Sequence, residues 1–343
     1  MTTKPMRIIW ISLPSHKQNW SRFTMAMTIF LKPYKWYAFG KTPADVAANV
    51  SKICLLAKLG VQLSDLDSMD GRVSTLLRAF ELQWMCHIIH RDFVEDLREE
   101  AARSFGNAYR YKQFLFHQGS ARASGDPETS CLNTLSCRFM IYVAARLQGM
   151  DHDQAFNLEC MTGGDDVIAA DISSESVAKA AKMLGQQAKV CYVEKGSIGV
   201  NFLSRFYGPN VWRGDSNSIC DIPRRLTKFH LTANLNPDTP TNRTKRLMEK
   251  TISWWLSDSR TPIIRPILMG FLERNYFTVP SIGTQSEKTF TRKLAIMNSE
   301  NAAIKGDVAW NTRFDWEVQY PNDGVADWAD DYIVNYWKIP EEA

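Results

Sequence analysis

A short acidic turn between two apolar segments is the feature that most constrains this chain. Gly163-Gly164-Asp165-Asp166 follows the apolar segment 155–162 and precedes the apolar segment 167–170. Glycine and aspartate tolerate the backbone angles of a tight turn, so the pattern predicts two strands joined as a β-hairpin, with carboxylates at its tip. The alternative is that Gly164-Asp165-Asp166 forms a turn with a purely structural role.

A second group of carboxylates follows an earlier predicted strand, Val61-Gln62-Leu63-Ser64. Asp65 and Asp70 are separated by a strand-to-helix turn, so Asp65 can face the hairpin while Asp70 points toward a neighbouring pocket. Carboxylate oxygens are the ligands that Mg²⁺ prefers, so Asp65, Asp165 and Asp166 predict a site for two hard cations that supports phosphoryl transfer. The alternative for Asp70 is that it caps the helix after it.

A polar loop precedes the longest predicted helix, 128–147. Pro127 suits the start of a helix, and Asp126 is placed to cap it. Thr129 and Asn133 are four residues apart and therefore share one helix face. They are candidate binding residues, or merely the polar face of a helix.

The order of predicted elements favours an α+β layout rather than an alternating parallel sheet. Strands are predicted at 8–11, 61–64, 111–117 and 189–193, besides the two strands of the acidic hairpin. From about Gly208 the chain changes to helical segments interrupted by proline. A domain boundary is predicted there.

Charge is distributed unevenly, although the net charge of the chain is only +4. Segments 1–60 and 209–306 carry +8 and +7, whereas segments 61–208 and 307–343 carry −4 and −7. Basic segments on either side of an acidic one suit a protein that holds a polyanion beside a cation site. The alternative is that the charge varies along the chain by chance. A hydrophobic content of 45% excludes disorder as the main state.

Two other classes of protein are disfavoured by the sequence. The seven cysteines are scattered, with no paired spacing and no accompanying histidines, which argues against a zinc site or a disulfide framework. The apolar stretches are too short to span a bilayer, and no signal-peptide pattern opens the chain.

Several motifs, in order, resemble those of the viral RNA-directed RNA polymerases, most closely the nodavirus-type enzymes and their tombusvirus-like relatives. Segments 64–74, 124–134 and 164–166 are similar to the three palm motifs of that family. The resemblance also covers a basic fingers motif ending at Arg7-Ile8-Ile9, an upstream signature at 36–43 and a primer-gripping hairpin formed by Phe202, Leu203, Ser204 and Arg205. In all, it extends over about residues 5–230.

The resemblance implies a role for each matching residue. Asp65 and Asp165 would bind two Mg²⁺ or Mn²⁺ ions, with Asp166 assisting. Asp70 and Asn133 would hydrogen-bond around the ribose 2′-OH. The remaining implied binding residues are Ser124, Gly125 and Thr129 in a loop that checks the nascent base pair, and Arg7 on the triphosphate. Lys189 would protonate the leaving pyrophosphate, with Lys195 as second choice and a solvated surface lysine as the alternative for both.

The implied fold is an α+β right-hand polymerase with an antiparallel palm sheet. It would comprise partial fingers at 1–60, a palm at 61–208 with a fingers insertion near 90–118, and a helical thumb with an acidic tail at 209–343. Because the family's fingers motif usually extends further upstream, we expect the chain to be partial at its N-terminus.

The implied activity is RNA-directed RNA synthesis from NTPs on an RNA template, with an RNA product strand and no DNA. The expected location is the host cytoplasm, with recruitment to a membrane-bound replication complex through other segments or proteins. The alternatives are a catalytically weak RNA-binding replicase fragment and a reverse transcriptase, which generally lacks the Asp/Asn pair that reads the sugar.

Overall fold

The computed structural model describes residues 12–106, 108–111, 113–229, 231, 239–275, 277–281, 284–304, 320–325, 328–329 and 332–337. The chain divides into two compact units. The first comprises Met1–Lys41 and Leu56–Lys195, and the second comprises Thr42–Leu55 and Gly196–Ala343. The predicted strand at 8–11 lies outside the described residues.

The first unit combines an antiparallel sheet, a separate hairpin and helices. In chain order, with α2 falling in the second unit, its elements are α1 (Pro14–Leu31), β1 (Gly60–Leu66), α3 (Thr75–Ile88), α4 (Val94–Arg103), β2 (Ala108–Tyr111), β3 (Phe114–His117), α5 (Thr129–Leu147), α6 (His152–Phe156), β4 (Cys160–Gly163), β5 (Asp166–Ala170), α7 (Ser174–Met183) and β6 (Ala188–Glu194). The main sheet has the order β4-β5-β1-β6, and every neighbouring pair is antiparallel. Leu63 at its centre lies opposite Ile168 of β5 and Cys191 of β6.

The core of the first unit joins this sheet to α5 and α7. Val167 of β5 is buried in one cluster with Ile141 and Ala144 of α5 and with Val177 and Ala181 of α7. Burying such apolar side chains contributes about 25 cal/mol per Å² of apolar surface. The packing therefore holds α5 firmly against the strands whose ends carry the aspartates.

The upstream signature covers an edge of the sheet. Tyr37 forms a parallel bridge with Thr162 of β4. The Thr162 backbone N–H donates to the Trp36 carbonyl at 2.7 Å, and the Ala38 N–H donates to the Thr162 carbonyl at 3.0 Å. Segment 36–38 thus satisfies backbone groups that an edge strand would otherwise expose.

The second unit is mainly helical and carries a small antiparallel sheet of order β7-β8-β9. Its elements are α2 (Pro43–Leu56), β7 (Asn201–Phe202), β8 (Arg205–Tyr207), β9 (Ser218–Cys220), α8 (Ile222–Leu226), α9 (Pro240–Asp258), α10 (Ile264–Arg274) and α11 (Gln285–Ile304). Trp255 of α9 is fully buried with Leu268, Leu272 and Leu294. In the acidic tail, which is described only in part, Trp328 packs with Phe206 and Tyr332.

The predicted α+β class with an antiparallel sheet is confirmed, but two predicted elements were wrong. The segment 155–162 is not one strand, because Asp151 and Gln154 form a capping box that starts α6 and leaves only Cys160–Gly163 as β4. The predicted strand 111–117 is instead the hairpin of β2 and β3. The division into fingers, palm and thumb stays a prediction.

Among the described residues, no helix combines the length and the apolar character needed to cross a membrane.

Candidate active site

The three aspartates of the predicted metal site lie at one end of the main sheet. Ser64 of β1 pairs with Val167 of β5, so Asp65 and Asp166 occupy the next positions along these strands. Gly163 pairs with Asp166, which leaves Gly164 and Asp165 as a two-residue hairpin turn. Gly164 has φ +72°, a conformation that glycine adopts without strain.

A helix of the core anchors this turn. The Gly164 backbone N–H donates to Oγ1 of Thr134 on α5 at 2.9 Å. Thr134 is itself buried, and its hydroxyl donates to the Ser130 carbonyl at 2.7 Å. The position of Asp165 therefore depends on the packing of α5 against the sheet.

The three carboxylates share one electrostatic neighbourhood. Burial raises the pKa of the Cys137 thiol on α5 well above its usual range, and the charges of Asp165, Asp166 and Asp65 raise it further. Asp65 and Asp165 are exposed, whereas Asp166 is half-buried. The sequence-predicted carboxylates are thus close enough to act on the same buried group.

The chemistry of this donor set suits a divalent cation, because carboxylate oxygens are hard ligands. In the part of the chain that the structure describes, no group of three or more His, Cys, Asp or Glu side chains is gathered closely enough to hold a metal ion. Binding of an ion would therefore bring the carboxylates of Asp65, Asp165 and Asp166 closer together than they lie in this structure.

Lys189 lies beside the same strand end. It is opposite Asp65 in the pairing of β6 with β1, and its Nζ forms an ion pair with Asp67 Oδ1 at 3.1 Å. The hydrogen bond and the charge of Asp67 raise the pKa of Lys189, so the ammonium form is favoured. The second choice, Lys195, lies beyond the opposite end of β6 and donates to the Ala57 carbonyl at 2.5 Å.

A buried hydrogen-bond network joins the first two predicted motifs. Asp70, which is 7% exposed, accepts from Asn133 Nδ2 at 2.8 Å through Oδ1 and from Ser124 Oγ at 2.7 Å through Oδ2. Its backbone carbonyl also accepts from the Arg122 N–H at 2.8 Å. The structure therefore brings Asp70, Ser124 and Asn133 together in one hydrogen-bond network.

The loop that carries Ser124 is held in place at several points. Lys17 of α1 donates to the Gly125 carbonyl at 3.0 Å, and Thr129 Oγ1 donates to the Ala123 carbonyl at 3.0 Å. Asp126 does not cap α5 as predicted, because its carboxylate accepts from the backbone N–H and the hydroxyl of Ser12.

Four buried charged residues behind this loop were missed by sequence reasoning. Arg122 pairs with Glu81 of α3 at 2.6 Å, and Arg78 lies 3.6 Å from Glu128, whose other oxygen accepts from Trp20 Nε1. Charged side chains are rarely buried, so the composition gave no reason to place these four in the interior. Their burial shows that the loop is packed against α3 and α1.

An open cleft of about 890 Å³ adjoins the turn. It is lined by Asp165 and Gly164 of the hairpin together with Asp67, Asp70, Ser124, Gly125, Thr129, Asn133 and Lys189. This volume is within the usual range for a small-molecule site. Most of the predicted site residues of the first unit therefore face one cleft.

The predicted primer-gripping hairpin lies in the second unit. Phe202 pairs with Arg205, and the two turn residues Leu203 and Ser204 have φ +49° and +59°. Both angles are unusual for residues other than glycine, a kind of strain often found at functional sites. Arg224 Nη1 donates to Ser204 Oγ at 2.8 Å.

Arg205 is buried rather than exposed at the end of this turn. Its Nη1 donates to both carboxylate oxygens of Asp258 at 2.8 Å, and its Nη2 donates to the Ser218 carbonyl at 2.7 Å. These contacts attach the hairpin to β9 and α9. Arg7, predicted for the triphosphate, lies outside the described residues.

A basic cavity of about 600 Å³ adjoins the hairpin. It is lined by Leu203, Ser204, Arg205, Arg224, Arg225, Lys228 and Lys250, with Trp254 and others. Its cationic side chains suit the phosphates of a nucleic-acid backbone.

The chain is similar to known viral polymerases in sequence and in structure. No family model matches the chain. The RNA-directed RNA polymerase of Greasy grouper nervous necrosis virus is 28% identical over 264 residues, which cover 74% of this chain and 26% of that protein. The Flock house virus RNA-directed RNA polymerase is 26% identical over 260 residues, or 71% of this chain and 25% of that protein. The chain thus spans about a quarter of the length of the curated relatives it matches.

Among solved structures, the RNA-dependent RNA polymerase of a human picobirnavirus superposes with a TM-score of 0.67 at 13% identity, covering 96% of this chain and 62% of that chain. The insertion-loop deletion mutant of that polymerase superposes with a TM-score of 0.65 at 14% identity, covering 89% of this chain and 59% of the mutant chain. The chain is therefore a homologue of the nodavirus RNA-directed RNA polymerases and has the fold of the viral RNA-dependent RNA polymerases.

Proposed function

We propose that this chain is the polymerase region of a viral replicase and copies an RNA template into complementary RNA. The reaction is attack of an RNA 3′-OH on the α-phosphate of an NTP, with loss of pyrophosphate. The observation that carries the proposal is the single cleft that Asp165 and Lys189 share with Asp70, Ser124 and Asn133. In this cleft, the groups that would carry out phosphoryl transfer lie beside the groups that would recognise the ribose.

Polymerases of this family use divalent metal ions. Asp65 and Asp165 would hold two Mg²⁺ or Mn²⁺ ions, with Asp166 assisting. When bound, such ions lower the pKa of an attacking hydroxyl and neutralise charge on the leaving oxygen. The hairpin turn and its bond to Thr134 fix the backbone from which Asp165 projects.

Lys189 would serve as the acid for the leaving pyrophosphate. Its ammonium group lines the same cleft as Asp165, and the hydrogen bond and charge of Asp67 raise the pKa of Lys189, which favours the protonated form. A protonated group at this place can donate to an oxygen that gains negative charge when the phosphoanhydride bond breaks.

Ribose recognition would rest on Asp70, Asn133 and Ser124. Their mutual hydrogen bonds hold the polar groups in place before the nucleotide arrives. A site built to bond a hydroxyl rejects the deoxy analogue, because buried polar groups then lose a partner. Ser124, Gly125 and Thr129 would sense the nascent base pair.

In the second unit, the product strand would contact Leu203 and Ser204 of the hairpin turn and the basic cavity next to them. Arg205 would act with Phe202 as support for that turn, because both are buried. We place the activity in the host cytoplasm, in a replication complex recruited to membranes by other segments or proteins.

The test is primer extension on an RNA template with Mg²⁺, comparing rNTPs with dNTPs. We expect the full chain to incorporate rNTPs, to stop when the metal is chelated and to lose activity with Asp165→Asn. Asp153→Asn is the matched control, because Asp153 is an exposed aspartate on α6 outside the cleft.

Each other outcome points to a different function. RNA synthesis that survives Asp165→Asn would contradict the site assignment. RNA binding without synthesis by a folded chain would favour a weak RNA-binding replicase fragment, and preference for dNTPs would favour a reverse transcriptase.

A further inference from the structure

A buried ion pair lies directly behind the bond between Asp70 and Asn133. Arg122 Nη2 donates to both carboxylate oxygens of Glu81 at 2.6 Å, and the two side chains are 0% and 3% exposed. Ser136 Oγ donates to Glu81 Oε1 at 2.7 Å. Burial alone would lower the pKa of Arg122, but the charges of Glu81 and Glu128 outweigh it and raise the pKa. The guanidinium is therefore charged and held by Glu81.

The same guanidinium contacts the amide of Asn133, since Arg122 Nη1 donates to Asn133 Oδ1. A guanidinium carries five N–H donors and no acceptor, so the Asn133 atom facing it has to be the carbonyl oxygen. An ionised carboxylate only accepts, so the atom facing Asp70 has to be Nδ2. Arg122 and Asp70 therefore select the same orientation of the Asn133 amide, one from each end.

We infer that Arg122, held by Glu81, is a positioning residue for ribose selection in this polymerase. The inference rests on the proposed function. Asp70 accepts one of the two N–H groups on Asn133 Nδ2, and the second is the donor we assign to the 2′-OH of the nucleotide. If the amide turned over, Oδ1 would face the Asp70 carboxylate, two acceptors would repel each other, and that donor would be lost.

The chain offers a matched control in Arg78. Its guanidinium is also buried and holds the same loop, through Nε to the Ser120 carbonyl at 3.1 Å and Nη2 to the Ala121 carbonyl at 3.0 Å. Those contacts do not involve Asn133. A lysine ammonium carries all its N–H donors on one atom and lacks the planar guanidinium fork, whose two terminal nitrogens bond Glu81 and Asn133 separately in Arg122. Arg78→Lys therefore reproduces the loss of a buried arginine without turning the Asn133 amide.

The experiment compares kcat/KM for ATP and dATP in primer extension by the full chain. Because both substrates are measured on one preparation, their ratio is independent of the folded fraction. We expect Arg122→Lys to lower the preference for ATP by about tenfold, the effect of one hydrogen bond. We expect Arg78→Lys to leave it unchanged. In an Asn133→Ala background, Arg122→Lys should lower the preference no further, since both changes remove the same contact.

An unchanged preference in folded Arg122→Lys, or an equal fall in Arg78→Lys, overturns the inference. If Arg122→Lys does not fold, the double variant Arg122→Met/Glu81→Leu removes both charges together and leaves no unpaired ion in the core. It is expected to show the same fall, and an unchanged preference in it overturns the inference. If the wild-type chain makes no RNA at all, that result overturns the proposed function, and the inference that rests on it is overturned as well.

Discussion

Asp70 Oδ1 and Asn133 Nδ2 are 2.8 Å apart, although 63 positions separate the two residues in the chain. Asp70 follows β1, and Asn133 lies on the second turn of α5. Both are buried, so each depends on the other for a hydrogen bond. The pair joins the two segments that carry the proposed ribose site.

Asn133→Ala is expected to weaken discrimination against deoxynucleotides. The change removes the amide that bonds Asp70, so we expect the ratio of kcat/KM for ATP over dATP to fall by about tenfold to a hundredfold. Steady-state primer extension measures the ratio. Ser130→Ala is the control, because Ser130 lines the same cleft without a described bond to Asp70. An equal loss in both variants would contradict the role of Asn133.

Asp67→Asn is expected to change the alkaline limb of the pH–rate profile. The hydrogen bond and charge of Asp67 raise the pKa of Lys189, so removing that charge lowers this pKa toward about 10.4, the ordinary value for lysine. If Lys189 is the acid, activity should then decline at lower pH than in the wild type. Profiles of kcat from about pH 7 to 10.5 test this. Lys195→Met, which changes a lysine beyond the opposite end of β6, should leave the limb where it is.

Thr134→Val is expected to disturb the acidic turn. It removes the hydroxyl that accepts from the N–H of half-buried Gly164, and losing a hydrogen bond of this kind costs about 0.5–1.5 kcal/mol of unfolding free energy. We expect lower thermal stability and a kcat reduced by about tenfold or more, because misplacement of reacting groups is costly.

The matched control for this turn is Thr251→Val on α9. Thr251 is also a fully buried helical threonine, and its hydroxyl likewise donates to the carbonyl four residues earlier. Among the described residues, its hydroxyl makes no hydrogen bond to the acidic turn. Unfolding curves and primer extension should show that this variant keeps its kcat; a similar loss of kcat in Thr251→Val would contradict the anchoring role of Thr134.

Asp258→Asn is expected to lower the unfolding free energy of the second unit. It should also make that free energy depend less on pH in the acid range. Burial would raise the pKa of Asp258, but the charges of Arg205 and Arg225 and the hydroxyls of Ser257 and Thr261 hold it below its usual value. Its stabilising contribution is therefore complete above the unfolded-state pKa of about 3.9 and is lost as pH falls from there through the folded-state pKa.

At pH 7 the variant leaves Arg205 buried without its carboxylate, which costs about 3–5 kcal/mol. Urea unfolding followed by tryptophan fluorescence at several pH values measures both effects. Asp323→Asn is the control, since Asp323 is 95% exposed in its ion pair with Arg260 and should change stability by about 0.5 kcal/mol or less. Equal losses in the two variants would contradict the role of the buried pair.

Local patterns were enough to predict much of the fold. The polar loop with Pro127 placed the start of the long helix α5, and the acidic turn placed the hairpin of β4 and β5. Prediction failed at α6, where the capping box of Asp151 and Gln154 starts a short helix inside an apolar segment. It also failed at Asp126, whose carboxylate is taken by Ser12, a residue distant in the chain.

The sequence by itself determined the kinds of chemical group and their order: a strand ending in Asp65, a loop with Ser124, a helix with Asn133 and a turn with Asp165. The elements that carry these groups follow from hydrophobic periodicity and from turn-forming residues, which are both local signals that extend over a few positions. Only the tertiary structure decided that Arg122 and Glu81 are buried behind Asn133 and that Arg205 is paired with Asp258. Such partners are far apart in the chain, and what selects them is the need to neutralise buried charge when helices and strands pack, which no local pattern encodes.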